Sequence, residues 1–240
     1  MNSTRRTSIA TGTLLIVATV AVLAASALEP ALTGTRYLTG VGNHPNRLAA
    51  AALLYLVAAG TSVGIAIALY PTLKKTNSPL ALGSVVFRTI EAVFYTVAVV
   101  SLLSILPLAD QLTSATAGQV APIHAVAGSL VNVRDNSNLV AIFAFNLGAL
   151  MYYTLFFRSR LVPRWLSSWG VAAVMLMTVA CTLALFDDKP VTGYTLLILP
   201  IALQEIVLAV WLLIKGFTPP SHSSPFVLPR TCASLVQASP

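Results

Sequence analysis

Residues 82–106 read LGSVVFRTIEAVFYTVAVVSLLSIL, and within this run of small, apolar and aromatic side chains stand one arginine and one glutamate, Arg88 and Glu91. About 20 apolar residues at 1.5 Å rise cross a hydrocarbon layer of about 30 Å, so the run predicts a transmembrane helix. Ionisable groups at that depth are rare and expensive, and they persist where the protein pairs or uses them. A spacing of three residues puts Arg88 and Glu91 on one helical face, within reach of a charge-assisted contact.

The rest of the chain repeats the apolar pattern. Of 240 residues, 57% are hydrophobic and 9% charged, with mean hydropathy +0.84. A soluble domain carries about 25% charged residues, so no water-facing surface can be built from this composition. Apolar runs between charged or Pro/Gly-rich flanks predict six spans, over residues 9–29, 48–70, 82–106, 138–157, 165–186 and 193–215, and hence an all-α polytopic transmembrane bundle. Residues 1–217 form that domain. Residues 218–240, rich in Pro and Ser from Thr218-Pro219-Pro220-Ser221 onward, have the composition of a disordered cytoplasmic tail. The longest connection, 107–137, contains a moderately apolar stretch at 119–133 broken by Pro122 and Gly128, which reads as a segment lying on the membrane surface. Arg5, Arg6 and Ala25-Ser26-Ala27 give the first run features of a signal sequence, but its length and the five spans after it favour a retained helix.

A net charge of +7 and a pI near 9.8 would suggest nucleic acid in a soluble protein. Here the Lys and Arg lie between apolar runs, so they are topology signals and no nucleic-acid partner is expected. Arg5, Arg6, Lys74, Lys75, Arg158, Arg160, Arg164, Lys215 and Arg230 share one side, against Arg36, Arg47, Arg134 and Lys189 on the other. The positive-inside rule then puts both termini in the cytoplasm, and Glu29, Asp110, Asp135, Asp187 and Asp188 outside.

Orientation fixes depth. Glu91 is about ten residues into the third span and Glu205 ten residues before Lys215, so both lie about 15 Å from the same surface at 1.5 Å per residue. Glu205 is therefore expected to join Arg88 and Glu91 across the bundle, with Asn146, Tyr95 and Gln204 at depths from which they can supply hydrogen bonds. One cation between two carboxylates can be a static clamp between helices. It can equally be a site for a small polar molecule or ion, and the surplus negative charge makes a proton relay conceivable. Pro200, five residues before Glu205, can bend the last span and free carbonyls.

Other patterns argue for structure rather than chemistry. Gly60-Thr61-Ser62-Val63-Gly64 matches a nucleophile elbow but has no strand before it and no histidine partner, so helix packing through small residues is the expected role. His44, His124 and His222 fall outside the predicted spans, Cys181 and Cys232 are too far apart for a thiolate site, and no metalloprotease or phosphate-loop motif is present. No cofactor or metal is expected, and an enzyme is the less favoured reading. Arg158, Arg160 and Arg164 form a tight basic hairpin beside Trp165 and Trp169, suited to anionic headgroups or to docking a cytoplasmic protein, and a membrane-protein partner is also open. The open functions are thus a handler of a small polar molecule or ion, a non-catalytic accessory or scaffold subunit, and an intramembrane enzyme acting on a lipid-type substrate.

Arg88 with Glu91, Phe157-Arg158-Ser159-Arg160-Leu161-Val162-Pro163-Arg164, and Pro200, Glu205, Ala209, Trp211, Lys215 and Gly216 together resemble a bacterial integral-membrane family known as domain of unknown function 4386. The resemblance covers about residues 10–217. It implies six helices in a bacterial inner membrane, and it brings no reaction and no catalytic residue.

Overall fold

The computed structural model describes residues 3–34, 36–187 and 191–218. The Pro/Ser-rich tail reading, with His222, Arg230 and Cys232, lies outside the described residues, as do Asp188 and Lys189.

The helices are α1 (Ser3–Leu28), α2 (Tyr37–Asn43), α3 (Pro45–Leu73), α4 (Ser78–Leu103), α5 (Ile105–Thr113), α6 (Ala117–Ser159), α7 (Arg164–Asp187) and α8 (Thr195–Ile214), with a 3-10 turn at Val191–Tyr194. Six of them are long and apolar enough to cross a membrane, with α4 and α5 joining in one span. The chain is a multi-pass transmembrane protein.

The six long helices form a ring in sequence order. α1 packs on α3, α3 on α4, α4 on α6, α6 on α7, α7 on α8, and α8 closes back onto α1. The α1–α8 seam is made by a backbone reader: Arg5 donates to the carbonyls of Leu213 (2.8 Å), Ile214 (3.4 Å) and Leu212 (3.5 Å), and Ser8 donates to Leu212 at 2.6 Å. These are orphan acceptors of the last turn, where a cation is also favoured by the helix dipole. Gly216 ends α8 at φ +78, and Gly12 leaves room that a Cβ, 2.9 Å from Leu213 Cγ, would not.

Up-and-down connection puts the start of α1, the end of α3, the start of α4, the end of α6, the start of α7 and the end of α8 on one face, here the terminal face. Among the described residues Arg5, Arg6, Lys74, Lys75, Arg158, Arg160, Arg164 and Lys215 lie at this face, and Arg36, Arg47 and Arg134 toward the other, the distal face.

The two halves of the ring are built differently. Toward the terminal face the interior is filled by Tyr153, Phe156, Leu155, Leu166, Leu212 and Leu73, each 0% exposed. Aromatic rings stack through this plug, with centroid separations of 4.3 Å for Tyr152–Tyr153, 5.8 Å for Tyr152–Phe156 and 6.0 Å for Phe156–Phe217. Toward the distal face the interior holds two cavities of about 220 and 230 Å³.

The connection 107–137 differs from the surface-lying segment expected from its composition. α5 takes up its start, and residues 117–159 form one helix of 43 residues, capped where Thr116 and Gln119 satisfy each other's backbone donors. At 1.5 Å per residue such a helix is about 64 Å long, twice the hydrocarbon layer, so its first half projects beyond it. The apolar stripe Ile123, Ala127 and Leu130 packs on Leu38, Val41, Ile105 and Ala109 of α2 and α5, forming a distal cap with its own core. Protein, rather than lipid, covers that stripe. The break between α4 and α5 falls at Ser104, three residues before Pro107, which has no N–H to offer the carbonyl of Leu103.

Candidate functional site

Arg88 reaches the ring axis from α4 and is 3% exposed; Glu91, one turn distal, is 4% exposed. Nη1 of Arg88 donates to Glu91 Oε2 at 3.0 Å and to Oε1 at 3.3 Å. Ser62 of α3 accepts from the same Nη1 at 3.1 Å and donates to Glu91 Oε2 at 2.9 Å, closing a three-membered network. Nη2 donates to the Tyr152 hydroxyl oxygen at 3.3 Å and stands 3.7 Å from Glu205 Oε1. The guanidinium plane lies over the Phe145 ring, 4.4 Å from its centroid, and 5.5 Å from that of Tyr152. Arg88 is thus held by an ion pair, two hydroxyls and two aromatic faces, with only Nε buried and unpartnered.

The two carboxylates are not equivalent. Glu91 accepts hydrogen bonds from both Arg88 and Ser62 and is 4% exposed. Glu205 on α8 has 19% of its side chain exposed, and among the described residues its ion contact is Arg88 at 3.7 Å, longer than a hydrogen bond. Its oxygens face the cavity of about 220 Å³, which Ser62, Glu91, Tyr95 and Leu15 also bound. Counted at formal charge, one guanidinium opposes two carboxylates, leaving one negative charge at a largely apolar cavity wall.

The other expected participants divide. Tyr95 sits one turn distal of Glu91 and lines both cavities. Gln204 is 0% exposed but turns away: its carbonyl accepts from the Tyr153 hydroxyl and its amide donates to Leu166 O at 3.3 Å, tying α8 to α6 and α7. Asn146 is 3% exposed and neither amide atom has a partner; it lies seven residues before Tyr153 on α6 and makes no hydrogen bond to the cluster. α8 runs unbroken through Pro200, which is an internal residue of the helix.

Ser62, Tyr152 and Phe145 join the site although residue spacing along the chain assigns Ser62 only to a small-residue packing stretch and gives the other two no role. In the structure Gly64 does pack, its Cβ position 3.3 Å from Leu14 of α1, while nothing lies within 4 Å of Gly60, and the serine between them turns to the ring axis. Seven-residue spacing carries the missed signal: Tyr55 and Ser62 on α3, and Phe145 and Tyr152 on α6, each fall on one face.

Beyond the cluster, the basic hairpin turns at Arg160, whose φ of 55 ends α6 in the left-handed region. Leu161 and Val162 are buried beneath it, and Leu161 O accepts from Thr218 N at 2.8 Å. Arg164 lies over Phe157 at 5.3 Å and Trp165 stacks on Trp169 at 6.4 Å.

A family described as Domain of unknown function (DUF4386) matches residues 10–216. The chain belongs to that family. The match spans all six long helices and every residue of the Arg88 cluster. No match is found among curated proteins or among solved structures. For this DUF4386 chain the site's chemistry has to be read from its geometry. Among the described residues no group of three or more His, Cys, Asp or Glu side chains is placed to hold a metal ion.

Proposed function

We propose that the protein binds and passes a small cation, or a proton, at an intramembrane site whose reactive group is the Glu205 carboxylate. The observation that carries this is the inequality of the two acids that line the cavity: Glu91 is held by hydrogen bonds from Arg88 and Ser62, whereas Glu205 has one long contact to Arg88. A static clamp has no use for an under-coordinated carboxylate on a cavity wall. An arriving cation would supply the missing partner and neutralise the surplus charge in a medium of low dielectric constant, where that gain is large.

The aromatic plug closes the ring toward the terminal face and leaves both cavities on its distal side. On the positive-inside reading both termini are cytoplasmic in a bacterial inner membrane, and this is an outward-facing state. Passage then requires the plug residues Tyr152, Tyr153 and Phe156 to part while the cap side closes. The accessory-subunit and lipid-enzyme readings have no comparable observation: the basic hairpin is pinned to its own C-terminal segment, and no histidine or cysteine lines the cavity.

Thermal unfolding of the purified protein in Na+, K+ or methylammonium, at ionic strength fixed with N-methylglucamine, tests the reading. A cation that binds the native state stabilises it by about 2.7 kcal/mol at a hundred times its Kd, and Glu205→Gln is expected to abolish that rise while keeping the fold. Equal stabilisation of wild type and Glu205→Gln, or none by any cation and none on lowering pH, would falsify the assignment.

A further inference from the structure

The distal half holds a second arginine set between two carboxylates. Arg134 of α6 lies 2.5 Å from Glu29 Oε1 through Nη2 and 2.7 Å from Asp135 Oδ1 through Nη1. The Tyr55 hydroxyl donates to Glu29 Oε2 at 2.7 Å, as a hydroxyl also steadies the buried cluster. Formal charge again leaves one negative unit over. This group stands at the cavity of about 230 Å³, which Arg134, Asp135, Asn138 and Tyr55 bound, and Asp135 opens to the surroundings with 34% of its side chain exposed.

The two cavities are neighbours that share a wall: Val22 of α1 and Tyr95 of α4 line both. Along α6, Phe145, whose ring carries Arg88, is eleven residues from Arg134, about 16 Å at 1.5 Å per residue. Along α4, Tyr95 is one turn distal of Glu91.

We infer that the distal cavity is a second cation site, filled before the buried one, and that a monovalent cation passes from Asp135 to Glu205 across the Val22–Tyr95 partition. This rests on the cation reading of the buried cluster and adds a station, a route and a gate to it. An anion meets surplus negative charge at both stations, with each guanidinium already paired. A divalent metal ion finds too few ligands at either, since no described cluster offers three acids, imidazoles or thiolates together. One surplus charge at each end suits a singly charged species.

The test places a reporter in the buried cavity: Ala58→Cys, in full-length protein with Cys181 and Cys232 replaced by alanine, reconstituted in liposomes and exposed on each side in turn to cationic and anionic methanethiosulfonates of similar size. The cationic reagent is expected to modify the thiol from the distal side and the anionic one to lag. Tyr95→Ala should accelerate modification about tenfold, equivalent to about 1.4 kcal/mol off the barrier. Val22→Ala opens the same partition from α1 and gives the same direction if Tyr95→Ala fails to fold, and Asp135→Asn should slow the cationic reagent selectively. Modification only from the terminal side, equal rates for both reagents, or rates indifferent to Tyr95 and Val22 would overturn the route. If those results appear while methylammonium still stabilises the protein through Glu205, the route alone is lost; if that stabilisation is also absent, the buried site falls with it.

Discussion

Arg88 and Arg134 are the same device at two depths. Each guanidinium lies between two carboxylates with a tyrosine hydroxyl in the network, yet the Arg88 side chain is 4% exposed and that of Arg134 19%. Arg88 also rests on Phe145, while Asp135 beside Arg134 is partly open. Position sets the worth of each pair: water reaches Asp135 and can take over part of what a partner gives up there, whereas Arg88 and Glu91, 4% and 5% exposed, have no such replacement.

Replacing each arginine by alanine is the sharpest way to break this comparison. Arg88→Ala strands Glu91 and Glu205 in the ring and should cost about 3–5 kcal/mol, seen as a large loss of thermal stability in detergent. Arg134→Ala should cost about 0–1 kcal/mol. Equal losses would mean that burial does not separate the two stations.

The next effect contrasts the filled half with the open one. A Cβ on Gly170 would sit 2.5 Å from the Tyr153 ring, so Gly170→Ala must displace the plug, at about 1–3 kcal/mol. Gly60→Ala meets nothing within 4 Å and should be neutral or slightly stabilising, since alanine is the better helix former. Unfolding midpoints of the pair check this, and a neutral Gly170→Ala would show the plug to be loose. Gln204→Leu leaves the buried Tyr153 hydroxyl without its acceptor, for which about 1–2 kcal/mol is expected, with cation stabilisation through Glu205 retained. Loss of that cation response would place Gln204 in the site after all.

Ser62→Ala should cost little in folding, about 0.6 kcal/mol, because Arg88 and Glu91 keep their direct contact. Its use is to sharpen the contrast between the two acids: the variant leaves Glu91 less saturated, so cation binding should become less dependent on Glu205 alone. Measuring the cation-induced stabilisation of Ser62→Ala with and without Glu205→Gln decides it.

Much of this was open to reading from residue order. The six spans follow from apolar length, which the bilayer thickness dictates without reference to neighbours. The common face of Arg88 and Glu91 follows from helical pitch, and the common depth of Glu91 and Glu205 from counting residues to the terminal-face basic clusters. The distal cap was not legible, because the stripe Ile123, Ala127 and Leu130 has the same amphipathic pattern whether lipid or α2 and α5 cover it.

Residue order is therefore informative in one dimension: which segments cross, how deep each polar group lies along its own axis, and that one arginine must serve two acids. The packing of the ring set the rotation about those axes. It turned Ser62 and Tyr152 toward Arg88 and Gln204 away toward Tyr153, and it left Glu205 short of partners beside an open cavity. The physical reason is that depth is set by the solvent, water against hydrocarbon, whereas facing is set by which helix closes the ring beside which. That closure depends on contacts as remote in sequence as Arg5 with the last carbonyls of α8.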